Sequence, residues 1–512
     1  MSDSEKLSYA NVHVHVGSSE KDSGIESIGH KQDKRVGNDH VDDDLVSIEV
    51  NEILNEKEAN KKLRWKIDYR IMPFLMLIYG LQYLDKTLLN YAAVMGIKDH
   101  LRGNEFSNTG TIFYASYLVT EPFAGLMIQK LPVGRLLGSI VVLWGIITSC
   151  HAAAKSYSGL IIVRTLLGIF EAPVAGCLLA ITSMWWNRRE QTKRTGLWYL
   201  QIGVAQIVGS LISFGFQQVR STSIESWQIL FIFMGAFTSL VGIIAFFYLP
   251  NDISSCKFLT EEEKEAAIEH IKVNQTGQKN KKFKWYQVKE LLLYDKQTWV
   301  LLMITTLTMI GNGAVSVFAS VIIKSFGFSN KASTIIQIPS GVATITGTLI
   351  SCYLAGYIGH RAYLLMLVCI PACLGAILLL VLDNEYKVGK LFGVYLLNFS
   401  SSVLPVIYSW NSVNTSGYTK ATMRNALTLI AFCIGNLIGP QIFRDKDAPN
   451  YTPAKIVLIV SMSCPIFLAL VLRQIAVREN RKRDSVGSVG CRYDVMNLDL
   501  TDIENKSFRY EY

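Results

Sequence analysis

Residues 157–180 read YSGLIIVRTLLGIFEAPVAGCLLA. A helix needs about 20 predominantly apolar residues to cross a hydrocarbon core of about 30 Å. This run is long enough, yet it carries Arg164 and Glu171 in its interior. Each charge at the centre of a spanning helix costs roughly 2.5–3.5 kcal/mol on insertion scales. The segment therefore reads as a membrane helix whose charged side faces the interior of a bundle rather than lipid.

Working outward, runs of the same kind fall at about residues 71–95, 109–129, 134–154, 157–180, 196–216 and 228–249. After a charged stretch at 250–298 they resume at 299–322, 332–353, 362–382, 388–410, 421–442 and 454–473. The pattern predicts an all-α integral membrane protein with about 12 transmembrane helices in two six-helix halves, 71–249 and 299–473. Around them lie a tail at 1–70, a middle loop at 250–298 and a second tail at 474–512. Composition agrees: 50% of the 512 residues are apolar and mean hydropathy is +0.27.

The formal charge of +9 does not point to nucleic acid, because the basic residues lie in short clusters between the runs. Lys57, Lys61, Lys62, Arg64, Lys66 and Arg70 precede the first span, and alternate loops carry Lys130 and Arg135, Arg188 and Arg189, Arg361, and Lys420 and Arg424. The intervening loops are nearly neutral. The positive-inside rule then puts both termini and the middle loop in the cytosol.

The N-terminus has no apolar core of a signal peptide, so the first span is expected to direct insertion. His13 and His15 read as part of a solvated tail. The nine cysteines lack metal-like or disulfide-like spacing. Cys369 and Cys373 share a helix face, but nothing nearby offers further soft ligands, and neither metal nor cofactor is expected. In the middle loop Thr260 and Glu263 form a capping-box pattern that opens a helix. Sequons occur at Asn274, Asn398, Asn414, Asn450 and Asn505; only Asn450 falls in a loop placed outside, and Pro453 follows it directly.

Five charges lie inside the runs: Asp85, Lys86, Glu121, Arg164 and Glu171. Facing lipid they would forfeit on the order of 12–17 kcal/mol, more than a typical fold has to spare. They must line a cavity or pair inside the bundle. Arg164 and Glu171 share a face but stand about 10.5 Å apart in rise, too far for a direct ion pair. Asp85 and Lys86 point about 100° apart. A network from the first helix to the fourth follows, with Asp85 to Arg164 as the first pairing expected; a purely structural bridge is the alternative. Glu171 is the leading proton carrier, with Asp85 and Glu121 as further candidates. Arg164, assisted by Lys86, is the expected anion contact, because a guanidinium is a permanently charged planar fork.

The second half offers neutral polar groups instead: Asn312, Gln337, Asn398, Ser400–Ser402, Tyr408, Trp410, Asn411 and Asn436. Of these Asn312, Gln337, Trp410 and Asn411 are candidate substrate contacts, with interhelical hydrogen bonding as the alternative role. Prolines at 73, 122, 173, 339, 371, 405, 440 and 465 lie in or at the ends of spans, where bent or broken helices serve transporters.

Over about residues 65–475 the chain resembles the major facilitator superfamily, and within it the fungal allantoate permease-like branch of the anion:cation symporters. The resemblance rests on Tyr83-Leu84-Asp85-Lys86, Glu121-Pro122, the stretch from Arg164 to Ala172, Trp185-Trp186 before Arg188-Arg189-Glu190-Gln191, and Phe258-Leu259-Thr260-Glu261-Glu262. It continues through Gly417-Tyr418-Thr419-Lys420, the stretch from Gly435 to Phe443, and Asp447-Ala448-Pro449-Asn450-Tyr451. The superfamily's loop after the second helix usually carries an Asp with a Gly-Arg pair. Here Gly134-Arg135 is present and the Asp is missing, and the echo after the eighth helix, Gly359-His360-Arg361, lacks it too.

The resemblance implies proton-coupled import of a small organic anion such as a carboxylate, ureide, vitamin or sulfonate. Asp85 and Glu171 would be proton carriers, and Lys86 and Arg164 anion contacts. Expected partners are the anion, protons and membrane lipid, with no nucleic acid and a monomeric state. The plasma membrane is the expected location, with the endoplasmic reticulum or vacuole as alternatives. A membrane-embedded enzyme would need a cluster such as His with acids, and the spans are read as holding no His. A nutrient sensor of the same fold is the closer rival, because sensing and transport share a binding site.

Overall fold

The computed structural model describes residues 40–219, 224–272, 283–357, 360–383, 385–448, 450–485 and 499–512. His13, His15, Asn274, Gly359 and Pro449 lie outside the described residues. The chain divides into two compact units, Met1–Ala59 and Asn60–Tyr512. In the first, residues 40–59 are helical; the account below concerns the second.

The helices are α1 (His40–Ala93), α2 (Glu105–Lys130), α3 (Val133–Cys150), α4 (Tyr157–Trp185), α5 (Arg188–Tyr199), α6 (Gln201–Phe216), α7 (Ser226–Tyr248), α8 (Glu261–Lys272) and α9 (Trp285–Leu293). They continue with α10 (Lys296–Ser325), α11 (Asn330–Ile335), α12 (Ile338–Tyr357), α13 (Arg361–Val381), α14 (Lys387–Leu397), α15 (Val403–Val413), α16 (Tyr418–Gln441) and α17 (Thr452–Ser485). Among the described residues, 11 helical segments are long and apolar enough to cross a membrane. The remaining run, at 71–95, ends α1, where Gln82, Asp85, Lys86 and Asn90 dilute its apolar character.

Helix α7 shows how these segments meet their solvent. Ile232, Phe233, Phe237, Leu240, Ile243, Ile244 and Phe247 are exposed along one side, while Leu230, Phe231, Met234, Val241 and Ala245 are buried on the other. Both faces are apolar, so the outward one suits lipid. Small residues let the helices approach closely. A Cβ at Gly203 of α6 would stand 2.6 Å from the carbonyl oxygen of Gly341 in α12, and one at Gly341 equally close to the carbonyl of Gly203.

Helix α3 packs on α7, α2 on α4, α10 on α16 and α13 on α17; the first six spans meet the last six along α6 against α12 and α2 against α16. The second seam is closed at the Glu105 end. Ser107 donates to the Phe443 carbonyl at 3.1 Å, Gln441 to Asn108 Oδ1 at 3.0 Å, and Lys98 lies 3.7 Å from Asp445. Towards its other end α2 is buried, beyond Tyr117, only at Ala124.

Two spans are broken, and the breaks have local causes. Pro339 offers no N–H to the carbonyl of Ile335, and the chain interrupts between Ile335 and Ile338. Pro405 offers no N–H to the carbonyl of Ser401, and a 3-10 turn, Asn398–Ser402, separates α14 from α15. Each break leaves a polar side chain, Gln337 or Asn398, deep in the bundle.

The expected capping box is formed: Thr260 N–H donates to Glu263 Oε2 at 2.9 Å and Glu263 N–H to Thr260 Oγ1 at 3.3 Å. A second one, Asn187 with Glu190, opens α5. Glu263 also holds Lys66 at 2.6 Å, and Arg194 grips Asp68 at 2.6 Å.

Candidate functional site

The turn of α1 from Gln82 to Lys86 aims polar groups at two neighbours. Lys86 reaches α4, where its Nζ stands 3.0 Å from Glu171 Oε1; the Glu171 side chain is fully buried and that of Lys86 is half-buried. Gln82 donates to the Glu171 carbonyl at 3.4 Å. The ammonium also sits 5.6 Å from the ring centre of Phe113 and 5.5 Å from that of Tyr117, both on α2, an arrangement that favours a cation.

Asp85, a third of a turn round, faces α3 instead, and its Oδ2 accepts from Thr148 Oγ1 at 3.2 Å. The expected Asp85–Arg164 ion pair is absent among the described residues, while the link from the first helix to the fourth is made by Lys86 and Glu171. The reason is the angular offset: with Lys86 directed at α4, its neighbour in sequence must point elsewhere.

Arg164 is 2% exposed, and its Nε and Nη2 have no hydrogen-bond partner among the described residues. Buried guanidinium donors are normally satisfied, so this cation lies in the bundle with unused capacity, two turns along α4 from Glu171. Glu121, one turn beyond Tyr117 on α2, is half-buried, with Lys86 as a neighbouring opposite charge and its Oε2 unbonded among the described residues.

The neutral candidates do not all converge on these charges. Gln337 accepts from Asn90 of α1 at 2.8 Å and donates to Ser320 Oγ at 2.6 Å, while Asn90 Oδ1 accepts from the Ser320 N–H at 2.7 Å. A cavity of about 20 Å³, room for about one water, is lined here by Tyr83, Asn90, Gln206, Ser316, Gln337 and Asn398. Trp410 is fully buried and donates to Gln297, the second residue of α10, at 3.3 Å. Asn411 donates to Asn425 at 3.2 Å and Thr428 at 3.0 Å. Both therefore lie towards a helix end, apart from the charged cluster. Asn312 is half-buried on α10.

Sequence reading passes over three contributors. Gln206 of α6 donates to the Tyr83 hydroxyl at 2.9 Å and to Asn398 Oδ1 at 3.3 Å, and accepts from Thr344 at 3.1 Å, tying four helical segments together. Asn90 does the same between α1, α10 and the Gln337 break. His151 falls in the 134–154 run that was read as free of histidine. It is fully buried, bonds the Ile147 carbonyl at 3.1 Å and stacks on Phe231. The signal available for Gln206 and Asn90 was an amide inside an apolar run, the same cue that singled out Gln337.

A bundle of bilayer-length helices with broken segments and buried charges facing a central polar seam defines a membrane transporter. The model of the Major Facilitator Superfamily matches residues 75–440, and the chain belongs to that family. It is 45% identical over 471 residues to the thiamine pathway transporter THI73 of Saccharomyces cerevisiae, covering 92% of this chain and 90% of that one. It is 33% identical to the allantoate permease of the same yeast, covering 92% and 90%. These relatives place it in the fungal allantoate permease-like branch. Among solved structures, a bacterial homologue of the human lysosomal transporter Spinster shares the fold, with a TM-score of 0.58 at 16% identity over 78% of this chain and 94% of that one. The protein is a multi-pass membrane transporter and not an enzyme.

Proposed function

We propose that this chain is a proton-coupled symporter that imports a small organic anion across the plasma membrane, with both termini in the cytosol. The observation that carries the reading is Arg164: a buried guanidinium with two nitrogens unbonded among the described residues, on the same helix as Glu171, which pairs with Lys86. Burying an unpaired cation is costly, and an anionic ligand offsets that cost by filling the planar fork. The names of the two yeast relatives, an allantoate permease and a thiamine pathway transporter, suggest ureide or vitamin-related anions as the first to try.

In this reading the Lys86–Glu171 pair supplies the coupling. When Glu171 takes a proton, its attraction for Lys86 at 3.0 Å is lost, and Lys86 and Arg164 together present two cations to an incoming carboxylate. When the proton leaves, Glu171 reclaims Lys86 and competes with the anion, which is released. Gln82, bonded to the Glu171 backbone, fixes the height at which the exchange occurs. Asp85 and Glu121 are the further protonation sites in this reading. Gln337 and the Gln206–Asn398 pair recognise the neutral part of the substrate across the seam.

The test is uptake of radiolabelled organic anions by cells lacking their own permease, at external pH 5 and 7 and with a protonophore. Accumulation that rises at low pH and collapses with the protonophore supports the proposal. Accumulation indifferent to the proton gradient, or no transport together with a substrate-dependent signal inside the cell, would favour a uniporter or a sensor instead.

A further inference from the structure

The cations Lys284, Arg361, Lys420, Arg424 and Arg483 gather at one end of the last six spans, the end proposed to face the cytosol. Lys420 and Arg424 are essentially inaccessible. The bundle offers this cluster two carboxylates: Glu290 of α9, 2.8 Å from Lys420, and Asp295, 3.7 Å from Lys420 and 3.8 Å from Arg424. Residues 499–512, DLTDIENKSFRYEY, bring the three that balance it. Asp502 stands 2.8 Å from Lys420, Asp499 stands 2.8 Å from Lys284, and Glu511 pairs with Arg361.

The backbone of the segment is read as well. Asn480 of α17 donates to the Tyr510 carbonyl at 2.8 Å and accepts from its N–H at 2.9 Å. Asn414 treats Glu511 the same way, at 3.0 and 2.7 Å. Arg483 lies over the Tyr510 ring, 4.5 Å from its centre, and donates to the Phe508 carbonyl at 2.6 Å. The Tyr510 hydroxyl donates to Asp502 Oδ2 at 2.6 Å, and burial pushes that phenol up. Two amides that each clamp both polar groups of one residue make a peptide-binding site, in the way an exposed edge captures an extended chain.

Among the described residues, the acid that pairs with Arg361 does not come from the loop before α13. The carboxylate comes from Glu511, near the end of the sequence. We propose that this end of the second six-helix half is a docking site for an acidic, aromatic peptide, and that its occupant is the chain's own segment Asp499–Tyr512, which supplies the missing carboxylates. Docked, the segment joins α9, α13, α16 and α17 into one body, because Thr501 also donates to Glu290 at 2.9 Å and Asn480 and Arg361 belong to two further helices.

Hydrogen exchange on the purified full-length protein and peptide binding to a chain ending at residue 498 test this together. In the full-length chain the amides of Tyr510 and Glu511 should exchange far more slowly than in the free 14-residue peptide, and Asn480→Ala with Asn414→Ala should remove that protection. The shortened protein should bind the labelled peptide in a salt-dependent manner, and its melting midpoint should rise on binding. Peptide carrying Asp502→Asn should bind about tenfold or more weakly, as expected when one partner of a buried charge pair is removed. The full-length protein should bind little of either. Free-peptide exchange rates at Tyr510 and Glu511 in the full-length chain would overturn the proposal even if the shortened chain does not fold. Equal peptide binding by full-length and shortened protein would also overturn it.

Discussion

In the first six spans the buried charges lie well inside helices: Glu171 falls at the centre of α4, and Asp85, Arg164 and the half-buried Lys86 are each more than a turn from their helix ends. In the last six the buried cations sit at or near helix starts: Arg361 opens α13, Lys390 is in the first turn of α14, and Lys420 and Arg424 are in the first two turns of α16. Charges at helix ends reach water, loops and a tail, and can be neutralised permanently. Charges in mid-span have only each other: Arg164 and Arg424 each keep two unbonded nitrogens among the described residues, but Arg424 has Asp295 at 3.8 Å whereas no carboxylate lies within 4 Å of Arg164. In the proposed function one half would exchange ligands and protons, and the other would hold a fixed wall of amides and hydroxyls around Gln337 and Asn398.

The comparison breaks most easily at Arg164. Arg164→Gln removes the buried cation and should lower substrate affinity by about 2–5 kcal/mol, the cost of deleting one partner of a buried charged contact; Arg164→Lys keeps the charge, loses the fork and should lie between. Binding to purified protein, with melting midpoint as a control, checks this. Unchanged affinity in a well-folded Arg164→Gln variant would return the residue to a structural role.

The neutral wall should respond differently. Gln337→Ala leaves Asn90 with a lost partner, a cost of about 1–3 kcal/mol for a buried polar group. Substrate KM should rise while the dependence of uptake on the proton gradient stays as in wild type. If Gln337→Ala uncouples transport from protons, the division of labour between the halves is wrong.

The smallest effect belongs to the connecting loop. Lys66 holds the Glu263 carboxyl below the usual range through a hydrogen bond at 2.6 Å. A carboxylate depressed in the folded state contributes stability that is present above its unfolded pKa of about 4.3 and is lost as pH falls through the lower folded value. Glu263→Gln should thus lower the melting midpoint slightly at pH 7, by less than about 1 kcal/mol for a partly exposed pair, and the difference should vanish in strong acid. A difference that persists at pH 2 would contradict the assignment.

Much of this was legible in the sequence because membrane segments are written in long apolar runs, and a charge inside one is conspicuous. Lys86, Glu171 and Arg164 were found that way. Their pairing was not, since adjacent Asp85 and Lys86 both fit the spacing and only the rotation of α1 against α3 and α4 decides which of them meets α4. The docked segment was illegible for a different reason: its partners, Asn414, Asn480 and Arg361, lie in three separate elements, and a short acidic stretch at a chain end reads like any solvated tail. Trp410 and Asn411 stand out in the sequence because they sit in an apolar run; their depth along the helix, which the sequence does not give, places them beside Gln297 and Thr428.

The central claim, that Glu171 carries the proton that moves with the anion, is tested most directly by Glu171→Gln in proteoliposomes. Concentrative uptake driven by an imposed pH gradient is measured beside exchange of labelled for unlabelled substrate at equal pH. A glutamine cannot take up and release the proton, so accumulation should be abolished while exchange continues at a rate comparable to wild type. A Glu171→Gln protein that still concentrates substrate when the outside is made acidic would contradict the account.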